Sequence, residues 1–239
     1  MVIRKTMEDY AMRENSEHGY SRGMAFKEMN NMNTPLNTPW REVLHLGKRV
    51  VWSKGHCVQF GRALYFLERG KVRLTHQNLE GVEKILWYIR GGCLFGETPF
   101  FDPMPAESYF SCVTDCIAYE FTQEALKEIN TARPDLIINL LESMSRKLRI
   151  LSNQASSLYL DNVLVRTCKF LAQRLQPGSD PLKAELGMSR QEMASLLGVH
   201  RISLYKVLRQ QEENGMFGPF TRDNITILQP EVFFKLVES

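Results

Sequence analysis

The sequence predicts an α+β protein. An N-terminal β-roll of the double-stranded β-helix (jelly-roll-like) kind should lead into a long dimerisation helix and then a C-terminal winged helix-turn-helix domain. Three observations predict this. Between residues 43 and 122, short apolar runs alternate with turn residues. From Pro134, apolar residues recur at alternating spacings of four and three. Near the C-terminus, SRQEMASLLGVHRISLYKVL sets a glycine between two short amphipathic stretches.

Residues 1–38 are polar, and six of the eleven methionines fall before residue 33. Pro35 and Pro39 punctuate their end, which reads as a loose extension with at most one short helix. The roll should occupy 39–132. Its runs RVVW, CVQF, ALYFL, KVRLT and EKILWYI are strand-length and separated by KG, G, ERG and NLEG, with RGG closing the series. That spacing fits an all-β roll or barrel. KVRLT and EKILWYI should form a hairpin turning at Glu80-Gly81. QEALKEINTA, residues 123–132, reads as a short helix.

The segment 133–160 is the dimerisation helix. Proline suits its first turn. Ile137, Leu141, Met144, Leu148, Leu151, Ala155 and Leu158 form a seam of period 3.5 held for three heptads. That period fits a partner helix, because a stripe packed on its own domain widens and drifts. Residues 161–239 should form the last domain. VLVRTCKFLAQRL reads as a helix ended by Pro177-Gly178, and QPGSDPLKAELG as a loop with a short strand.

Ser189 and Glu192 have the spacing of a capping box opening the first of the two short helices. Ala194 is small where helices cross closely. Gly198, four residues on, can take the left-handed turn between them. Leu204, Val207 and Leu208 give the second helix a buried side. Arg201, Ile202, Ser203, Tyr205, Lys206 and Arg209 are left facing out, a cationic surface suited to the major groove. NGMFGPFTRDNITIL then reads as two short β segments around a turn, a wing.

Composition narrows the partners and the chemistry. The net charge is only +3, and residues 161–239 hold ten Lys/Arg against nine Asp/Glu. A nucleic-acid partner must therefore be argued from where the charges sit. No stretch of eighteen apolar residues exists, so no membrane partner is expected. The N-terminus lacks the apolar core of a signal peptide, and a cytoplasmic location is the expectation. Cys57, Cys93, Cys112, Cys116 and Cys168 form no C-x-x-C pair, so neither a disulfide framework nor a zinc site is indicated. They read as small buried hydrophobes, with a redox role as the alternative. No two of the five histidines lie within four residues of each other. The H-x-H of a cupin-type metalloenzyme is thus missing, as are H-E-x-x-H and G-x-S-x-G; no enzymatic activity is expected. A helix-turn-helix that contacts protein instead of DNA remains a rival, which a salt-dependence measurement would separate.

With these residues in view, the chain resembles the CRP/FNR family of bacterial transcription regulators from about residue 43 to 237. ALYFLERGKVRLTHQNLEGVEKILWYIRGGCLFGE, the long helix and SRQEMASLLGVHRISLYKVL carry the resemblance. It implies a homodimer that regulates transcription by binding a palindromic operator in double-stranded DNA, with RNA polymerase as a partner. It also implies allosteric control by a small-molecule effector held between the roll and the long helix. The effector pocket would be lined by Gly96, Glu97, Glu107, Ser108, Leu148, Leu151 and Ser152. The DNA contacts would be Ser189, Arg190, Gln191, His200, Arg201, Ile202, Ser203, Tyr205 and Lys206.

Two departures from the family pattern stand out. Glu107, beside Ser108, aligns with the arginine that holds a cyclic nucleotide's phosphate, and a carboxylate there repels that anion. Cyclic AMP is therefore not the expected effector. An iron–sulfur cluster is not expected either, since no cysteine precedes Cys57. An uncharged, Leu-rich helix wall would suit an apolar or aromatic molecule, or a haem ligated by His45, His56 or His76. Relatives that sense halogenated phenols or bind haem are the models for these two options. The second departure is Ile202, which stands where many relatives carry a glutamate that accepts from cytosine. It could instead meet a thymine methyl, while Arg201 reads a guanine.

Overall fold

The computed structural model describes residues 36–58, 61–81, 83–102, 108–176, 179 and 181–238. The expected N-terminal extension therefore lies almost wholly outside the described residues. So do Glu107 and the Pro177-Gly178 stop. By contact the chain divides into two compact units, at Leu151/Ser152.

The first unit is the roll. After a 3-10 helix at Thr38–Leu46 come β1 (Lys48–Trp52), β2 (Cys57–Val58), β3 (Leu64–Arg69), β4 (Lys71–Gln77), β5 (Glu83–Arg90) and β6 (Cys93–Phe95). A short helix α1 (Glu97–Phe101), then β7 (Ser108–Cys112), β8 (Cys116–Phe121) and α2 (Gln123–Ala132) complete it. Two four-stranded antiparallel sheets result, ordered β1-β8-β3-β6 and β2-β7-β4-β5. The chain crosses repeatedly between them, which is the winding of a double-stranded roll. The β4–β5 hairpin runs from Lys71↔Arg90 to Gln77↔Glu83 and turns at Asn78–Gly81, as the sequence predicts.

Alternation along the strands follows from which faces are covered. Ile85, Trp87 and Ile89 of β5 are buried, while Leu86 and Tyr88 between them are half-buried. In β3 all of Leu64–Leu67 is buried. Leu64 and Phe66 join a cluster with Trp40, Phe121, Ile129, Leu136 and Leu140, on the side covered by helices. Tyr65 stacks on Phe95, with ring centroids 5.2 Å apart. A strand covered on both faces reads as a continuous apolar run, which is why ALYFL shows no period of two. Trp40 is fully buried and meets Phe121 edge-on at 5.6 Å. The 3-10 helix is thus part of this core, although no helix was expected at Thr38–Leu46.

The long helix α3 spans Pro134–Leu160, 27 residues, or about 40 Å at 1.5 Å per residue. Leu136, Leu140, Ser143, Lys147 and Ile150 form its buried stripe. Leu141, Leu148, Leu151 and Leu158 are exposed, at 53, 66, 37 and 41 %.

The second unit holds α4 (Val163–Ala172), β9 (Leu182–Glu185), α5 (Arg190–Leu197), α6 (Arg201–Glu213), β10 (Asn224–Ile227) and α7 (Pro230–Glu238) around one apolar core. Lys169, only 1 % exposed, donates to Asp161 at 3.0 Å. Ser157 donates to the other oxygen of that carboxylate at 2.8 Å, so this buried charge is paired. One expectation needs correction. α4 ends at Ala172, short of the expected Leu175, because Leu175 leaves the helix to bridge Ala184. The wing is two short β segments around a turn, as expected: Phe217 bridges Ile227, Gly218 N donates to Thr226 O at 2.9 Å and Leu228 N to Met216 O at 2.8 Å, while β10 also pairs with the distant β9.

Candidate functional site

The helix-turn-helix is built as its residues dictate. Ser189 Oγ accepts from Glu192 N at 3.2 Å, and Glu192 Oε2 accepts from Ser189 N at 2.8 Å, closing the capping box at the start of α5. Gly198 takes φ +63°, the left-handed region that other residues enter only at a cost, and the chain turns into α6. Met193, Ala194 and Leu197 of α5 are buried, as are Leu204 and Leu208 of α6. His200 caps α6, its Nδ1 accepting from Ile202 N at 3.3 Å.

Burying Leu204 and Leu208 leaves Arg201, Ile202, Ser203 and Lys206 exposed at the start of α6. Ile202 is 51 % exposed, an apolar side chain with no core to fill. Arg190 and Gln191 are exposed on the first turn of α5. The predicted set thus lies at the N-terminal ends of two packed helices, but two members have structural duties: Ser189 and His200 serve as caps. Tyr205 carries the guanidinium of Arg190 over its ring, 5.6 Å from the centroid. Phe220 takes the same guanidinium at 4.9 Å. These residues border a cleft of about 330 Å³ that also includes Arg209 and Gly218. Phe220 has no signal in the sequence, because its role depends on where the segment before β10 comes to lie.

In the roll, Gly96 has φ +89° and caps α1. A Cβ there would stand 3.0 Å from Ala63 O and 3.2 Å from the Tyr65 ring, so both conformation and space call for glycine. Glu97, next in the chain, is 7 % exposed and pairs with Lys147 of α3; Lys147 Nζ also donates to Leu94 O at 2.9 Å. Ser108 shares a 3.2 Å hydrogen bond with His76 Nδ1.

This arrangement corrects the expectation of an uncharged wall. Lys147 faces Glu97, and the part of α3 against the roll is Leu140, Ser143, Lys147 and Ile150. Leu148 and Leu151, expected in the pocket, are on the exposed stripe, and Ser152 is exposed as well. Lys147 had a signal: it is the one cation at the inward spacing of Leu136, Leu140, Ser143 and Ile150.

Of the other candidate ligands, His45 and His56 are exposed, and His56 stacks on Trp52 at 5.9 Å. Among the described residues no group of three His, Cys, Asp or Glu could hold a metal ion. All five thiols are free, and only Cys57 is exposed. Burial, then the neighbouring Cys116, pushes the Cys112 thiol up to about 12, and burial does the same for Cys168. Such thiols are poor nucleophiles at neutral pH. No described helix is long and apolar enough to cross a membrane.

Comparison with known proteins agrees with this geometry. Residues 50–131 match the cyclic nucleotide-binding domain, and residues 165–233 the Crp-like helix-turn-helix domain. The chain is 28 % identical over 174 residues to a CRP-like cAMP-activated global transcriptional regulator of Mycobacterium tuberculosis, covering 70 % of this chain and 78 % of that one. It is 25 % identical over 165 residues to the cAMP-activated regulator CRP of Haemophilus influenzae, covering 67 and 74 %. Among solved structures, OCPA-complexed CprK superposes with a TM-score of 0.69 at 18 % identity, covering 81 % of this chain and 92 % of that one. The c-di-GMP-responsive global regulator CLP of Xanthomonas campestris also gives 0.69, at 22 % identity and 79 and 97 % coverage. With a cyclic-nucleotide-binding-like roll, a long helix and a Crp-like helix-turn-helix in this order, the chain belongs to the CRP/FNR family of DNA-binding transcription regulators.

Proposed function

We propose that the protein works as a homodimer that binds a two-fold palindromic operator through α6, under control of an effector other than cyclic AMP bound in the roll. One observation carries the DNA reading: Arg201, Ile202, Ser203 and Lys206 stand exposed at the start of a helix whose far side, Leu204 and Leu208, is fully packed. Arg201 supplies a planar fork for the N7 and O6 of guanine, and Ile202 an apolar face for a thymine methyl. Arg190, Gln191 and Ser203 contact phosphates, and Lys206 a base or a phosphate. The exposed leucines of α3 support the dimer, since a partner helix removes that stripe from water.

Against cyclic AMP stand two features. Glu107 stands where the family resemblance places the phosphate-binding arginine, and Glu97 is already paired with Lys147. The effector is therefore expected to leave that ion pair in place or to compete for it. The test is selection of bound duplexes from a random DNA pool, with and without cyclic AMP. Enrichment of a palindrome with G opposite Arg201, unchanged by cyclic AMP, is the expected result. Enrichment only when cyclic AMP is added would overturn the effector reading. No enrichment with cyclic AMP, without it, or with cell extract added would overturn the DNA reading.

A further inference from the structure

Arg190 is the first residue of α5 and carries a charge that no described carboxylate neutralises. Its guanidinium instead lies near two aromatic rings, Phe220 at 4.9 Å and Tyr205 at 5.6 Å. The Phe220 ring packs against the apolar core of this unit, while Tyr205 is 46 % exposed. Phe220 is half-buried and precedes a tight turn, in which Thr221 Oγ1 donates to Asn224 O at 2.7 Å and accepts from Asn224 N at 2.9 Å. Tyr205 neighbours Arg209, whose Nε donates to Glu213 Oε1 at 2.9 Å. That carboxylate, together with the Tyr205 hydroxyl, raises the pKa of Arg209.

A guanidinium over an aromatic ring gains a cation–π attraction and keeps N–H donors for an anion. A lysine in the same place would keep the charge but lack the planar fork of donors. We propose that Phe220 and Tyr205 position Arg190 as a clamp for one backbone phosphate of the operator, and that Phe220 is a positioning residue for DNA binding although it touches no base. The inference rests on the DNA-binding reading above. It explains why Tyr205, expected among the DNA contacts, has its ring beside Arg190.

The test uses the duplex selected by the full-length wild-type protein, with affinity measured across a series of salt concentrations. One phosphate contact contributes about 0.9 to the slope of log K against log salt. Arg190→Ala should remove about that amount. Phe220→Leu should weaken binding about 2- to 10-fold and lower the slope in the same direction. Phe220→Tyr, which keeps a ring, should bind as the wild type does. Arg190→Lys should resemble Phe220→Leu despite its charge. Placed on the Arg190→Ala background, Phe220→Leu should have no further effect. The proposal fails if Phe220→Leu costs as much on that background as on the wild type, which would mark a purely structural role. It also fails if Arg190→Lys binds at full strength. A wild-type protein with no salt-dependent binding to any duplex would instead sink the DNA reading itself, a separate result.

Discussion

Lys147 and Glu97 make the clearest residue-level case, because two buried charges survive only as a pair. Lys147→Met leaves Glu97 buried and unpaired, and should cost about 3–5 kcal/mol of stability; adding Glu97→Gln should recover part of that loss in urea unfolding. Arg201→Ala should weaken operator binding by roughly 1–3 kcal/mol and relax a single base position, read by binding to duplexes varied at that position. Titratable groups lead to a pH expectation. Cys112, Cys168 and Tyr65 are all pushed up to about 12, Tyr65 by burial and then by Glu120. Each is neutral when protonated, and the unfolded chain loses these protons first as pH rises past their ordinary values of 9 and 10. Stability should therefore hold steady below about pH 9 and fall between 9 and 12, visible as a declining urea midpoint. Under native conditions a thiol reagent should modify Cys57 quickly and the four buried cysteines only on unfolding. Most side chains of the helix-turn-helix were legible from sequence, because their spacing sets which side of a short helix they occupy. Phe220 was not, since a ring that supports a neighbour in space carries no spacing.

Among the elements, α3 is the most informative. It bears two stripes of similar period: Leu136, Leu140, Ser143, Lys147 and Ile150 inside, and Leu141, Leu148, Leu151 and Leu158 exposed. Periodicity alone reveals that apolar positions recur; it does not say which stripe meets the roll. Met144, from the expected seam, packs against the roll's core cluster and sits between the two. Leu148→Glu should leave the fold of the chain intact, since that side chain is 66 % exposed, and should shift the proposed dimer to a monomer by sedimentation. A variant that stays dimeric would place the interface elsewhere. The strands of the roll show the same limit. KVRLT and EKILWYI were readable as a hairpin because their partners are adjacent in sequence. The pairing of β10 with β9 joins residues some forty apart, and nothing in either segment names its partner. The 3-10 helix at Thr38–Leu46 was missed because its apolar residues, Trp40 and Val43, are too few to show a period.

For the whole molecule, one helix joins a roll to a winged helix-turn-helix unit. A homodimer built on that helix presents two copies of α6, so operator half-sites should repeat about 10 bp apart, one turn of the duplex; duplexes with spacers changed by five base pairs should lose most of their affinity. The order of roll, long helix and helix-turn-helix was readable from sequence alone, because strand-length apolar runs between turn residues, an apolar period of three-and-a-half, capping residues and turn glycines are local signals that act within a few residues. Where Lys147 finds its carboxylate, which leucines stay exposed, how β9 and β10 meet and which rings hold Arg190 all depend on residues distant in the chain. Such contacts are settled by close packing, in which a side chain's neighbours are chosen by the shape of the space that remains.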